Sequence, residues 1–145
     1  MINNLTLTDA DTNLVSNLEL GNKMRMKRIL IVDDDISYLF LLSSILESKG
    51  IETTKATNGI EAVGLLEKTN FSMMITDFNM PGLNGIELAL KARELCPDIH
   101  IVMITAELSP ELLEAAAKSG ISQVLYKPVN VMRVFAVIRS SLRMR

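Results

Sequence analysis

The sequence predicts a doubly wound α/β domain, a five-stranded parallel sheet in the order 2-1-3-4-5 with helices on both faces. Strand-like and helix-like segments alternate regularly from Lys27 onward, the pattern of βα units feeding a parallel sheet. Three of the strand-like segments, ILIV, MMIT and IVMIT, are almost wholly apolar, as strands covered on both faces must be. The other two, IETTKA and ISQVLY, carry polar residues, as edge strands can. Strands one, three and four are therefore central, and right-handed crossovers favour the stated order.

Strands are expected at 28–32, 51–56, 72–76, 99–105 and 121–126, and helices at 36–49, 58–68, 84–95, 109–119 and 129–143. Asp35 precedes the first helical pattern and reads as its N-cap. Asn58-Gly59-Ile60-Glu61 and Asn84-Gly85-Ile86-Glu87 open the second and third helices with the same tetrapeptide. In each, Asn can cap while Glu reaches back to the cap amide. Ser109-Pro110-Glu111 starts the fourth helix with a cap, a first-turn proline and an acid. Gly50 and Gly120 stand where left-handed helix stops belong. In the last helix Val131, Val134, Phe135, Ile138 and Leu142 form a core stripe, with Arg133, Arg139 and Arg143 on its solvated side.

Composition bounds the function. The 145 residues suffice for one domain with a real core. A net charge of −2 supplies no basic field for nucleic acid. The single cysteine, Cys96, rules out an internal disulfide, suits a reducing compartment and reads as a structural thiol. Residues 1–26 lack the basic start and apolar core of a signal peptide. They are expected to form a flexible arm, with Leu14, Val15, Leu18 and Leu20 as a short docking helix, ahead of a folded domain over 27–145. Met24 or Met26 could equally serve as the start. No run approaches the ~18 apolar residues of a membrane span, so a cytoplasmic location without membrane contact is expected.

The chemistry gathers at strand ends. In the predicted order strands one and three are neighbours, and the crevice between them is the switch point where such sheets bind ligands. The first strand releases Asp33, Asp34 and Asp35, and the third releases Asp77. A lone carboxylate at the end of a buried strand costs desolvation with no packing return, which points to chemistry. An acidic triplet can also be a solvated turn or a helix cap, the reading taken for Asp35. Carboxylates ~4 Å apart repel by ~4 kcal/mol at an effective dielectric near 20, which a hard cation relieves. An all-oxygen donor set with room for water is the pattern for Mg2+. The ion could draw in a phosphoryl group for a carboxylate nucleophile. Strand four ends Ile104-Thr105-Ala106, offering a hydroxyl beside a small residue, and strand five ends Tyr126-Lys127-Pro128, offering an ammonium. Alone, Thr105 would read as a β-branched cap and Lys127 as a surface lysine; together the strand ends are complementary.

IVDDD, TDFNMPGLNG, MITA and YKP resemble the receiver domain of bacterial response regulators, a flavodoxin-like fold, over residues 27–143. The resemblance implies that Asp77 is the phosphoacceptor. It implies Asp34 as direct metal ligand, Asp33 as holding the metal through water, and Asn79 as lending its backbone carbonyl. Thr105 and Lys127 match the phosphoryl-sensing hydroxyl and the lysine, with a cis Lys127-Pro128 bond. Asn79 and Glu107 fall at the positions that tune phosphoryl lifetime, paired as in chemotaxis-type single-domain regulators. Implied too are Mg2+ as cofactor, a sensor histidine kinase or histidine phosphotransfer protein as donor, and a downstream effector protein. The implied protein is a monomer or weak homodimer, no enzyme beyond catalysing its own phosphorylation and dephosphorylation, with no direct nucleic-acid contact.

One position departs from the family pattern. Val124 stands where the family has its switch aromatic, and the nearby aromatic is Tyr126. Output is therefore expected to pass through the loop from Ala106 to Pro110 and through helix four. Its Leu112, Leu113 and Ala115 to Ala117 are read as partner stripe or core. Because the chain ends at Arg145 just after the last helix, a stand-alone receiver is expected, the alternative being a piece of a longer regulator with an output domain. A dehalogenase-type phosphatase is a further alternative through Asp33-x-Asp35, but Ile36-Ser37 does not continue its motif. A phosphorylation-silent module is disfavoured because no acid, threonine or lysine is missing. His100 is read as a surface residue.

Overall fold

Residues 28–143 are described by a computed structural model of the protein. The arm expected over 1–26, with its Leu14–Leu20 helix, lies outside the described residues. Five strands and five helices alternate: β1 (Arg28–Val32), α1 (Ile36–Ser48), β2 (Glu52–Ala56), α2 (Gly59–Lys68), β3 (Met73–Asp77), α3 (Gly85–Leu95), β4 (His100–Thr105), α4 (Pro110–Lys118), β5 (Gln123–Tyr126) and α5 (Val131–Ser141). All neighbouring strands pair in parallel, in the order β2-β1-β3-β4-β5. The expected order and central strands are therefore observed.

The strand alternation splits the core into two layers. Leu30, Val32, Met74, Ile101 and Met103 face α2, α3 and α4 through Ala62, Leu66, Leu88, Ala92, Leu112 and Ala116. Ile29, Ile31, Met73, Ile75, Val102 and Ile104 face the other way, onto Leu39, Leu42 and Leu46 of α1 and Val134 and Ile138 of α5. Since successive side chains of a strand point to opposite faces, only strands apolar at every position can fill both layers.

Helix ends follow local chemistry. Asp35 caps α1 by accepting from the Tyr38 N–H, and Ser109 caps α4 by accepting from Leu112. The full capping box forms at Asn84 and Glu87. At α2 the box is incomplete: Asn58 accepts from Glu61, but the Glu61 carboxylate takes the N–H and hydroxyl of Thr57 in place of the cap amide. Gly50 and Gly120 stop their helices at φ of 84° and 86°. The last helix is shorter than the expected 129–143 because Asn130 caps it, accepting from the Met132 N–H. β5 starts at Gln123 rather than 121, leaving a four-residue edge strand. No helix among the described residues is long and apolar enough to cross a membrane.

Candidate functional site

The carboxyl ends of β1 and β3 lie side by side because Val32 pairs with Thr76. Asp33 follows β1, and its backbone N–H continues the ladder to the Ala56 carbonyl. Its side chain folds back to accept from the Asp35 N–H at 2.9 Å. Asp77 is the last residue of β3, one place later than expected, and is buried like the rest of that strand. Asp34 lies between two anchored neighbours and stays exposed. Carboxylate oxygens of Asp33, Asp34 and Asp77 all lie within 4.8 Å of one another.

Lys127, just past β5, reaches across β4 into this crevice. Its backbone N–H bonds the Thr105 carbonyl at 2.9 Å, and its peptide bond to Pro128 is cis. Its ammonium lies 3.3 Å from Asp77 Oδ1 and 3.7 Å from Asp33 Oδ2. Thr105 ends β4 fully buried, and its Oγ1 accepts from the Glu107 N–H at 3.0 Å, which leaves the hydroxyl hydrogen to donate elsewhere. Asn79 and Glu107 are exposed on the two loops beside the crevice. Asp35 is turned away as the cap of α1, and His100 opens β4 at the opposite end of the sheet.

Burial sets the electrostatics. It pushes the Asp77 carboxyl above the usual carboxylate range, against the Lys127 ammonium, its hydrogen bond and the Phe78 N–H, while Asp34 pushes further up. Burial also raises Asp33, opposed by the Asp35 N–H and Lys127 and reinforced by Asp77 and Asp34. The Lys127 ammonium contacts Asp33 and Asp77 but not Asp34, so the three carboxylates carry more negative charge than it can balance. An all-oxygen set this compact suits a small hard cation such as Mg2+. Three hard carboxylate donors also make the site a poor host for a soft metal.

The sequence model for the response regulator receiver domain matches residues 29–139. The chain belongs to the response regulator receiver domain family. A response regulator receiver protein of Anaeromyxobacter is 41% identical over 109 residues, 75% of this chain, which spans only 46% of that relative's length. Chemotaxis protein CheY-3 of Vibrio cholerae is 36% identical over 104 residues, covering 70% of this chain and 80% of its own. A CheY-like receiver domain protein from Methanospirillum hungatei superimposes with a TM-score of 0.79 at 33% identity, covering 81% of this chain and 94% of the other. Family membership sets aside the phosphatase alternative.

Some residues around the receiver's crevice escape sequence reasoning. Gly85 lets α3 press on the loop after β3: a Cβ there would sit 2.5 Å from the Asp77 carbonyl and 3.0 Å from Phe78 Cα. Thr76 ties the same carbonyl through its Oγ1 at 2.9 Å. Tyr38, one turn into α1, places its ring 5.8 Å from Lys127 Nζ. Its place three residues after the acidic cap Asp35 was the only available signal. The Asp33–Lys127 contact has no sequence signal, because it depends on β3 and β4 intervening in space.

Proposed function

We propose that this receiver accepts a phosphoryl group on Asp77 from a histidine kinase or a histidine phosphotransfer protein. What carries the reading is the juxtaposition of a buried Asp77 with Lys127 at 3.3 Å inside a crevice of three carboxylates. An Asp77 carboxylate oxygen attacks the donor's phosphorus. The new O–P bond forms as the donor's N–P or O–P bond breaks, and the leaving group takes the electron pair. Lys127 holds the nucleophile and then a phosphoryl oxygen, and the free hydrogen of Thr105 donates to another. Asp33, Asp34, Asp77 and the Asn79 carbonyl are the proposed ligands of Mg2+. When bound, that ion supplies charge neutralisation for the carboxylates and the transferring group. Water attack at phosphorus later restores Asp77, with Asn79 and Glu107 setting the rate.

The acyl phosphate then changes which proteins bind the face made by α4, β5 and α5, in a monomer or weak homodimer acting in the cytoplasm. The reading is tested by incubation with Mg2+ and acetyl phosphate, followed by intact mass and acid–base lability of the adduct. One phosphoryl per chain is expected, labile in acid and in base as an acyl phosphate is, and lost in Asp77→Asn. Equal labelling of Asp77→Asn would overturn the assignment.

A further inference from the structure

Tyr38 sits on α1, outside the acids and the lysine of the receiver's crevice, yet its position is determined from two sides. Its N–H is held by the Asp35 cap at 3.2 Å, and its ring packs onto the apolar layer containing Ile104 and Leu125. The ring centroid lies 5.8 Å from Lys127 Nζ, within the ~6 Å reach of a cation–π contact. The ammonium therefore has Asp33, Asp77 and the Tyr38 ring as neighbours.

The hydroxyl contributes little to this arrangement. Tyr38 Oη is enclosed and has no hydrogen-bond partner among the described residues. An enclosed hydroxyl without a partner is destabilising, so what Tyr38 offers its neighbours is its aromatic face. The phenol also stays neutral, since burial and the charges of Asp33 and Asp77 raise its pKa.

We propose that Tyr38 is a positioning residue for phosphoryl transfer, whose aromatic face holds the Lys127 ammonium between Asp33 and Asp77. The inference rests on Asp77 being the acceptor. Without the ring, Lys127, whose side chain is 32% exposed, loses its uncharged contact and samples solvent more often. The electrostatic ligands of the cation are untouched, because Tyr38 supplies no oxygen to the acidic cluster.

The test compares the wild-type chain with Tyr38→Phe and Tyr38→Leu, using acetyl phosphate as donor. Removing the ring in Tyr38→Leu is expected to slow phosphorylation by roughly 2- to 30-fold and to leave Mg2+ affinity unchanged. Tyr38→Phe keeps the ring, so it is expected to retain most of the rate while unfolding at higher temperature than wild type. In the unphosphorylated protein, NMR should show ring-current-shifted Lys127 Hε signals in wild type and Tyr38→Phe, and unshifted signals in Tyr38→Leu. If Tyr38→Leu does not fold, Tyr38→Met serves in its place.

A wild-type rate in Tyr38→Leu, an equal loss in Tyr38→Phe, or unmoved Lys127 signals would overturn the proposal. A fall in Mg2+ affinity parallel to the rate would do so as well, by showing a general structural effect. A wild-type chain that takes no phosphoryl group would instead overturn the acceptor assignment, and the Lys127 signals would still decide the contact.

Discussion

Asp33 and Asp34 are adjacent in sequence and chemically identical, yet one is buried and the other exposed. Asp34 and the equally exposed Asp35 differ in what they face: Asp34 offers a carboxylate oxygen to the acidic cluster, whereas Asp35 caps α1. Asp34→Ala is expected to weaken Mg2+ binding strongly, whereas Asp35→Ala should spare it. Loss of the Asp35 cap should instead lower stability by about 1 kcal/mol, and equal losses of Mg2+ affinity in a titration of both variants would contradict this geometry. Burial also makes the carboxyls of Asp33 and Asp77 harder to ionise than in the unfolded chain. A raised folded-state pKa contributes stability that is complete below the unfolded value of 3.8 and is lost as pH rises through the folded value. In the metal-free protein, Asp77→Asn should therefore gain thermal stability over wild type as pH rises from about 4 toward neutrality. A gap independent of pH in paired melting curves would refute the sign.

At the scale of the element, α3 is the one most tightly tied to the crevice. Its Asn84 cap and Glu87 close a capping box, and Gly85 abuts the Asp77 backbone. Gly85→Ala must displace the β3–α3 loop, at a cost of about 1–3 kcal/mol, and phosphorylation should slow with it. Gly64 in α2 is the control, since a Cβ there meets nothing within 4 Å. Gly64→Ala should stabilise by roughly 0.5–1 kcal/mol through helix propensity. Chemical denaturation of the two variants checks both signs. The far end of α3 is held by Arg93, which donates to the carbonyls of Pro97, Ile99 and Gly120 at 2.7–2.8 Å. Arg93 thereby joins α3 to the loops entering β4 and β5.

Across the whole molecule, the crevice and the proposed output surface meet at Thr105. Its hydroxyl accepts from Glu107 and its carbonyl bonds Lys127, so movement there displaces both the β4–α4 loop and the start of the β5–α5 connection. Val124 packs in the α2–α4 layer opposite Met103. A β-branched side chain there has few rotamers through which to relay the movement. On α4, Leu112 and Ala116 are buried, while Leu113 and Ala117 are exposed, so the expected stripe divides into core and surface. Beryllofluoride should therefore shift amide resonances in 106–110 and along α4. Shifts confined to β5, with α4 silent, would show that the signal leaves by another route.

Much of this receiver was legible in the sequence by itself. The alternation of elements, the strand order and the convergence of Asp33, Asp34 and Asp77 follow from apolar period and strand polarity, which are properties of short segments. Capping residues were legible for the same reason, as with Asp35, Asn84 and Ser109. The limits of local reading appear at Asn58, where Thr57 captured the Glu61 carboxylate, and at Asn130, which shortened α5. Only the tertiary structure decided that Asp33 is buried and Asp34 exposed, that Lys127 contacts two acids, that Tyr38 faces the ammonium, and that Gly85 must lack a Cβ. Each of these depends on the distance between groups carried by different elements, and that distance is set by how both core layers pack against the sheet.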